Sequence, residues 1–121
     1  MIEKGFRLDD KGAVVTGALG FLGRVEAKTL ASAGANVVVV DVDESGCNYF
    51  ADELSKEYKV SCLGVSANIA DKSSLENLLK QINQKYRGVN ILVNNAAIDD
   101  KITDKNKKRT FEDYSIDDWR R

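Results

Sequence analysis

The sequence predicts an α/β fold, a doubly wound parallel sheet with helices on both faces, from three observations. Strand-like apolar runs alternate with segments of helical periodicity, the connections between them are short, and the first strand opens straight into a glycine-spaced turn. The runs 37–40 and 91–93 are continuously apolar, as strands buried on both faces of a parallel sheet are.

The elements follow in order. A first strand is expected over 13–16 and a first helix over about 21–33, with Gly34 standing where a left-handed C-terminal cap is wanted. A second strand covers 36–41. The second helix spans about 45–58, and its Phe50, Leu54 and Tyr58 fall four apart, one apolar stripe aimed at the sheet. A third strand occupies 60–66. In the third helix Leu75, Leu78, Leu79, Ile82 and Tyr86 keep helical spacing, and Ser73 with Glu76 three residues later has the form of a capping box. The fourth strand covers 90–94. Right-handed crossovers then give the strand order 3-2-1-4, which places the C-terminal ends of the first and fourth strands on either side of a topological switch point.

Composition narrows the function classes. The chain has 121 residues, with 18 basic and 19 acidic side chains and a net charge of −1, so neither nucleic acid nor an anionic membrane is expected as a partner. A small-molecule partner is the expectation. No segment approaches the roughly 20 apolar residues of a membrane span, and residues 1–5 lack the apolar core of a signal peptide, which makes a cytoplasmic location the default. Cys47 and Cys62 stand apart, without CxxC spacing, and read as reduced packing residues. There is no histidine, so a histidine base, a histidine metal ligand and a Ser-His-Asp triad are excluded within this sequence, and no metal site is expected.

The most informative segment is Val14-Val15-Thr16-Gly17-Ala18-Leu19-Gly20-Phe21-Leu22-Gly23. A strand running into a glycine turn and then a helix is the layout of a dinucleotide phosphate cradle: the first helical turn offers unpaired N–H groups and the positive end of the helix dipole. In the usual division of labour Gly17 makes the tight turn, Gly20 clears room for a pyrophosphate and Gly23 lets the helix pack on the strand. Asp41 ends the second strand about 20 residues beyond the last glycine, where a carboxylate accepts from both ribose hydroxyls of an adenosine. That carboxylate would repel a 2′-phosphate, and no basic residue follows it in Val42, Asp43 and Glu44, so NAD is favoured over NADP. A solvated aspartate opening a turn is the plainer alternative.

Thr16-Gly17-x-x-Gly20-x-x-Gly23, Asp41, Asn68-Ile69 and Asn94-Asn95-Ala96-Ala97 together resemble the N-terminal half of a short-chain dehydrogenase/reductase, with its Rossmann-like fold, over essentially the whole chain. The resemblance implies that Gly17, Leu19, Gly20, Phe21, Leu22 and Gly23 hold the pyrophosphate and Asp41 the adenosine ribose. It implies further that Asn68 and Ile69 bracket the adenine, that Asn95 and Ala96 line the nicotinamide-side ribose, and that Asn94 braces the central sheet. Asn68 stands where family members often carry aspartate, and its amide oxygen still accepts a hydrogen bond. The glycine spacing, with Phe21, resembles extended sugar-nucleotide-modifying members. Asn94 to Ala97, and residues 111–119 as an approach to a long helix, resemble compact single-domain members.

The family transfers hydride with a tyrosine and a lysine spaced YxxxK and a serine upstream. Here Tyr49, Tyr58, Tyr86 and Tyr114 are followed at the fourth position by Glu53, Cys62, Asn90 and Asp118, so no catalytic residue is assigned. The resemblance therefore implies the NAD-binding half, residues 1–121, of an oxidoreductase acting on an alcohol or ketone, without its catalytic half. The Ile98-Asp99 turn and the charged loop after it resemble members that act on surface-sugar substrates. The alternative is a catalytically inert nucleotide-binding fragment or a nonfunctional remnant. Family helices that would cover the sheet and build a homo-oligomer are absent from the pattern, so the isolated chain is expected to associate through an open apolar fourth strand. Lys101, Lys105, Lys107, Lys108 and Arg109 read as a solvated loop.

Overall fold

The computed structural model describes residues 4–98 and 110–120. Within them lie β1 (Gly12–Thr16), α1 (Phe21–Ser32), β2 (Asn36–Asp41), α2 (Glu44–Tyr58), β3 (Leu63–Ser66), α3 (Lys72–Lys85), β4 (Ile91–Val93) and a short α4 (Ile116–Trp119). The four strands form one parallel sheet in the order β3-β2-β1-β4, as the alternating pattern predicts. Val14 pairs with Val38 on one side and with Leu92 on the other, which fixes β1 at the centre.

Alternation along the central strands splits the core in two. Ala13, Val15, Val37 and Val39 face α1 and α2, and they pack with Ala27, Ala31, Phe50 and Leu54. Val14, Val38, Val40 and Val65 face the opposite layer with Leu78 and Ile82 of α3. Small residues at Ala27 and Ala31 let α1 lie close on the sheet. A fully buried valine contributes about 1.5–3 kcal/mol relative to exposure, so the four consecutive valines of β2 are a large share of what holds the fold.

Each helix is started and stopped by local chemistry. Gly34 adopts φ +100° just after α1, the left-handed cap that the sequence calls for. Asp43 caps α2 by accepting from the Gly46 N–H at 3.2 Å, so the helix begins one residue before Ser45. The capping box expected at Ser73 and Glu76 does not form. Asp71 is the N-cap of α3, accepting from the Ser73 Oγ at 2.9 Å and the Ser73 N–H at 3.4 Å. A carboxylate placed one position before the helix satisfies the free donors and the dipole together, and it outcompetes a serine already inside the first turn.

Two further expectations are corrected. The stripe on α3 is only partly a core face: Leu78 and Ile82 are buried, whereas Leu75 and Leu79 are exposed, because five apolar positions subtend more of the helix than one sheet contact covers. β4 is not interior. It spans only Ile91–Val93, with Ile91 and Val93 half-buried and Leu92 58% exposed, since β1 is its sole strand partner among the described residues. β3 is likewise shorter than expected, beginning at Leu63. The basic loop residues Lys101 to Arg109 lie outside the described residues.

Candidate functional site

The C-terminal ends of β1, β2 and β4 converge on the glycine turn. Gly17 adopts φ +62°, and a Cβ built there would lie 2.9 Å from the Ala96 Cα, so the turn and the segment after β4 touch through backbone. Gly23 is buried where a Cβ would overlap the Gly17 carbonyl oxygen, which is why α1 can seat its first turn directly on the loop. Gly20 is the N-cap of α1 with extended backbone and no side-chain cap. The first-turn N–H groups of Phe21 and Leu22 therefore have no intrahelical acceptor, as a helix start requires, and both side chains are exposed.

A buried hydroxyl ties the two strands together at this end. Thr16 Oγ1 donates to the Val93 carbonyl at 3.3 Å and accepts from the N–H groups of Asn95 at 3.2 Å and Ala96 at 3.1 Å. The Asn95 amide adds two bonds, donating to the carbonyls of Thr16 and Gly17, each at 3.1 Å. The brace that the resemblance implied for Asn94 is thus made by Asn95, and Asn94 is exposed. Asn95 lies beyond the end of β4, alongside the end of β1 and the Gly17 turn, where its amide reaches both carbonyls.

Asp41 is half-buried at the end of β2 with both carboxylate oxygens in use. Oδ2 accepts from the Leu19 N–H at 3.0 Å and Oδ1 from the Val42 N–H at 2.8 Å. The Ala67 N–H donates to the Asp41 carbonyl at 2.9 Å, so the segment leaving β3 runs beside it. There Asn68 is exposed and shapes its own turn, its Oδ1 accepting from the Ala70 N–H at 3.0 Å and its N–H donating to Ser74 Oγ at 2.9 Å. Ile69 next to it is 43% exposed. Arg24, which no spacing rule marks, donates from Nε to the Leu19 carbonyl at 3.0 Å and lays its guanidinium 4.8 Å from the Phe50 ring centroid.

Gly17 to Gly23, Asp41, Asn95 and Ala96 thus meet around one glycine turn at the sheet's C-terminal rim, whereas Asn68 and Ile69 lie on the segment leaving β3, where Asn68 bonds to Ala70 and Ser74. Thr16 belongs to the quoted motif, but its bracing role depends on β4 lying alongside β1, a contact that no local pattern encodes. Two open hollows, of about 740 and 300 Å³, lie at the opposite rim, near Gly12, Asn36, Tyr86 and Ser61. Their polar groups are joints of the fold: Asn90 Oδ1 accepts from the Gly12 N–H, Asn36 Oδ1 from the Ser61 N–H, and the Tyr86 hydroxyl donates to the Ser61 carbonyl. Cys47 and Cys62 are free and buried, and burial pushes the Cys47 thiol up to about 11. Among the described residues no cluster of side chains could hold a metal ion, and no helix is long and apolar enough to cross a membrane.

The family model for short chain dehydrogenase matches residues 11–121. The chain belongs to the short-chain dehydrogenase family. The chain is 39% identical over 94 residues to a short chain dehydrogenase/reductase of Macrophomina phaseolina, an alignment covering 78% of this chain and 54% of that protein. It is 31% identical over 113 residues to the 3-oxoacyl-[acyl-carrier-protein] reductase of Aquifex aeolicus, covering 93% and 43%. Among solved structures, the L-sorbose reductase of Gluconobacter frateurii complexed with NADPH and L-sorbose superposes with a TM-score of 0.79 at 24% identity, covering 94% of this chain and 41% of that one. The Pseudomonas aeruginosa RhlG/NADP complex gives 0.72 at 28% identity, covering 80% and 38%. The chain spans about half the length or less of these relatives.

Proposed function

We propose that residues 1–121 form the NAD-binding portion of an oxidoreductase that moves a hydride between a nicotinamide cofactor and an alcohol or ketone substrate. The observation that carries this reading is the glycine turn: Gly17 at positive φ, and α1 opening without a side-chain cap. Uncapped N–H groups at the start of a 12-residue helix, reached through residues with no Cβ, are suited to a pyrophosphate. In this assignment Gly17, Leu19, Gly20, Phe21, Leu22 and Gly23 hold the pyrophosphate. Asp41 holds the adenosine ribose, Asn68 and Ile69 flank the adenine, and Asn95 and Ala96 border the nicotinamide ribose. Asn95 also sets the height of the Gly17 carbonyl, so that its binding role is partly exerted through the turn.

The nicotinamide cofactor, when bound, supplies or accepts the hydride. The chain's own residues bind and orient it; none of its four tyrosines has a lysine at the fourth position, so no proton-transfer group is assigned among residues 1–121. A small molecule of the alcohol or ketone class is the partner, and the working compartment is the cytoplasm.

NAD is preferred to NADP in this reading because a 2′-phosphate would meet the Asp41 carboxylate, which is held in place by the Leu19 and Val42 N–H groups and has no cation paired with it in any of its bonds. RhlG, at 28% identity, was solved with NADP, which makes the preference a sharp point to test. Calorimetric titration of the chain with NAD and with NADP should give binding, tighter for NAD. Binding of neither dinucleotide overturns the function; tighter binding of NADP overturns the assignment to Asp41. Asp41→Asn removes the charge but leaves one acceptor where the Leu19 and Val42 N–H groups had two, so the preference should shrink and the melting temperature should fall with it.

A further inference from the structure

We propose that Arg24 is a positioning residue for the pyrophosphate-binding turn, acting with Asp41 as a two-sided clamp on Leu19; this rests on the cofactor-binding reading above. Leu19 lies between the Gly17 turn and the Gly20 N-cap, in a stretch with no strand or helix to hold its backbone. Its two polar backbone groups are instead held by side chains from different elements. Asp41 of β2 accepts from the Leu19 N–H at 3.0 Å, and Arg24 of α1 donates from Nε to the Leu19 carbonyl at 3.0 Å. The Leu19 side chain packs on the core beneath, with its Cδ1 against α2 at Gly46.

Arg24 is anchored in turn. Its guanidinium lies over Phe50, which is 1% exposed and rigid in the core, so the arginine arrives at Leu19 with few orientations open to it. A planar guanidinium lies on a ring face and donates in its own plane at once, which a lysine ammonium does not do. With the peptides on both sides of Leu19 fixed, the backbone N–H groups just downstream, at Phe21 and Leu22, hold their direction. Backbone bonds from Ala18 to Val40 and from Gly20 to Gly17 hold the neighbouring residues, so without Arg24 it is the Leu19 carbonyl, and the peptide leading into Gly20, that is released.

Arg24 is exposed, and removing it leaves the Leu19 carbonyl to water rather than burying an unpaired group. The clamp therefore matters more to binding than to stability, and this difference separates a positioning role from a structural one. The test uses the whole chain as wild type, Arg24→Lys and Arg24→Ala. Each is titrated with NAD and with 5′-AMP and melted thermally, and the exchange rate of the Leu19 amide is followed by NMR without ligand. Arg24→Ala should bind both nucleotides about tenfold more weakly, because the turn must then be ordered at the moment of binding. Its melting temperature should fall only by the small amount that uncovering Phe50 costs, and Arg24→Lys, which loses less of that cover, should still recover little of the affinity; Leu19 should exchange faster in both. Wild-type affinity for 5′-AMP in Arg24→Ala overturns the proposal, as does a loss of binding that only tracks a lower melting temperature. Unchanged Leu19 exchange overturns the clamp whatever the titrations show, whereas a wild type that binds neither nucleotide, with the exchange effect present, overturns the cofactor reading on which the role rests.

Discussion

Gly17 carries two constraints at once. Its φ of +62° costs an L residue about 1–2 kcal/mol, and a Cβ would press on the Ala96 Cα at 2.9 Å. Gly17→Val should therefore abolish NAD binding and lower the melting temperature, and calorimetry of the same sample reads both; retained binding would mean that the turn is not where the pyrophosphate sits. Cys47 gives a residue-scale prediction of another kind. Burial raises its pKa from 9.0 to about 11, so the folded protein keeps that proton through a range in which the unfolded chain gives it up. Because the native state then binds more protons, its stability falls as pH rises from about 9 to about 11, and below that window the thiol contributes no slope. Iodoacetamide at pH 8 should label Cys47 only as fast as the chain opens, and rapid labelling of the folded form would contradict its burial. Of the site residues, those carried by local spacing were legible in the sequence. Asn95 and Arg24 were legible only as letters, because what each does depends on which backbone lies across from it.

α3 shows how a helix start is decided. Asp71, Ser73 and Glu76 offer two competing caps, and the structure selects the carboxylate. Asp71→Ala should cost about 1 kcal/mol, seen as a lower midpoint in urea, and Ser73→Ala should cost less. Equal losses would favour the serine box instead. The same helix presents Leu75 and Leu79 to solvent, at 40% and 54% exposure, while its buried face is spent on Val14, Val38 and Val65. Periodicity announced five apolar positions on one side of the helix. It could not divide them between a face that meets this sheet and a strip that does not, because that division is set by the crossing of the helix over strands far away in sequence.

At the scale of the molecule, β1 and β2 are sealed in a four-stranded sheet while β4 is paired on one side only among the described residues. β4 has no charged residue, and Leu92 stands 58% exposed on it, so it lacks the charge that usually protects an open strand. Self-association of this chain should rise with concentration in light scattering. Leu92→Lys should suppress it at a stability cost within about 0.5 kcal/mol, the range for a surface substitution; undiminished association would place the contact elsewhere. The sequence by itself determined the α/β class, the strand order, the glycine turn and the position of Asp41, because each rests on local periodicity, chain chirality or short-range spacing. The tertiary structure alone decided that Asp41 and Arg24 meet at Leu19, that Asn95 rather than Asn94 braces β1, and that Leu92 faces solvent. Those outcomes depend on pairings between residues far apart in the chain, and such pairings are fixed only when the sheet assembles.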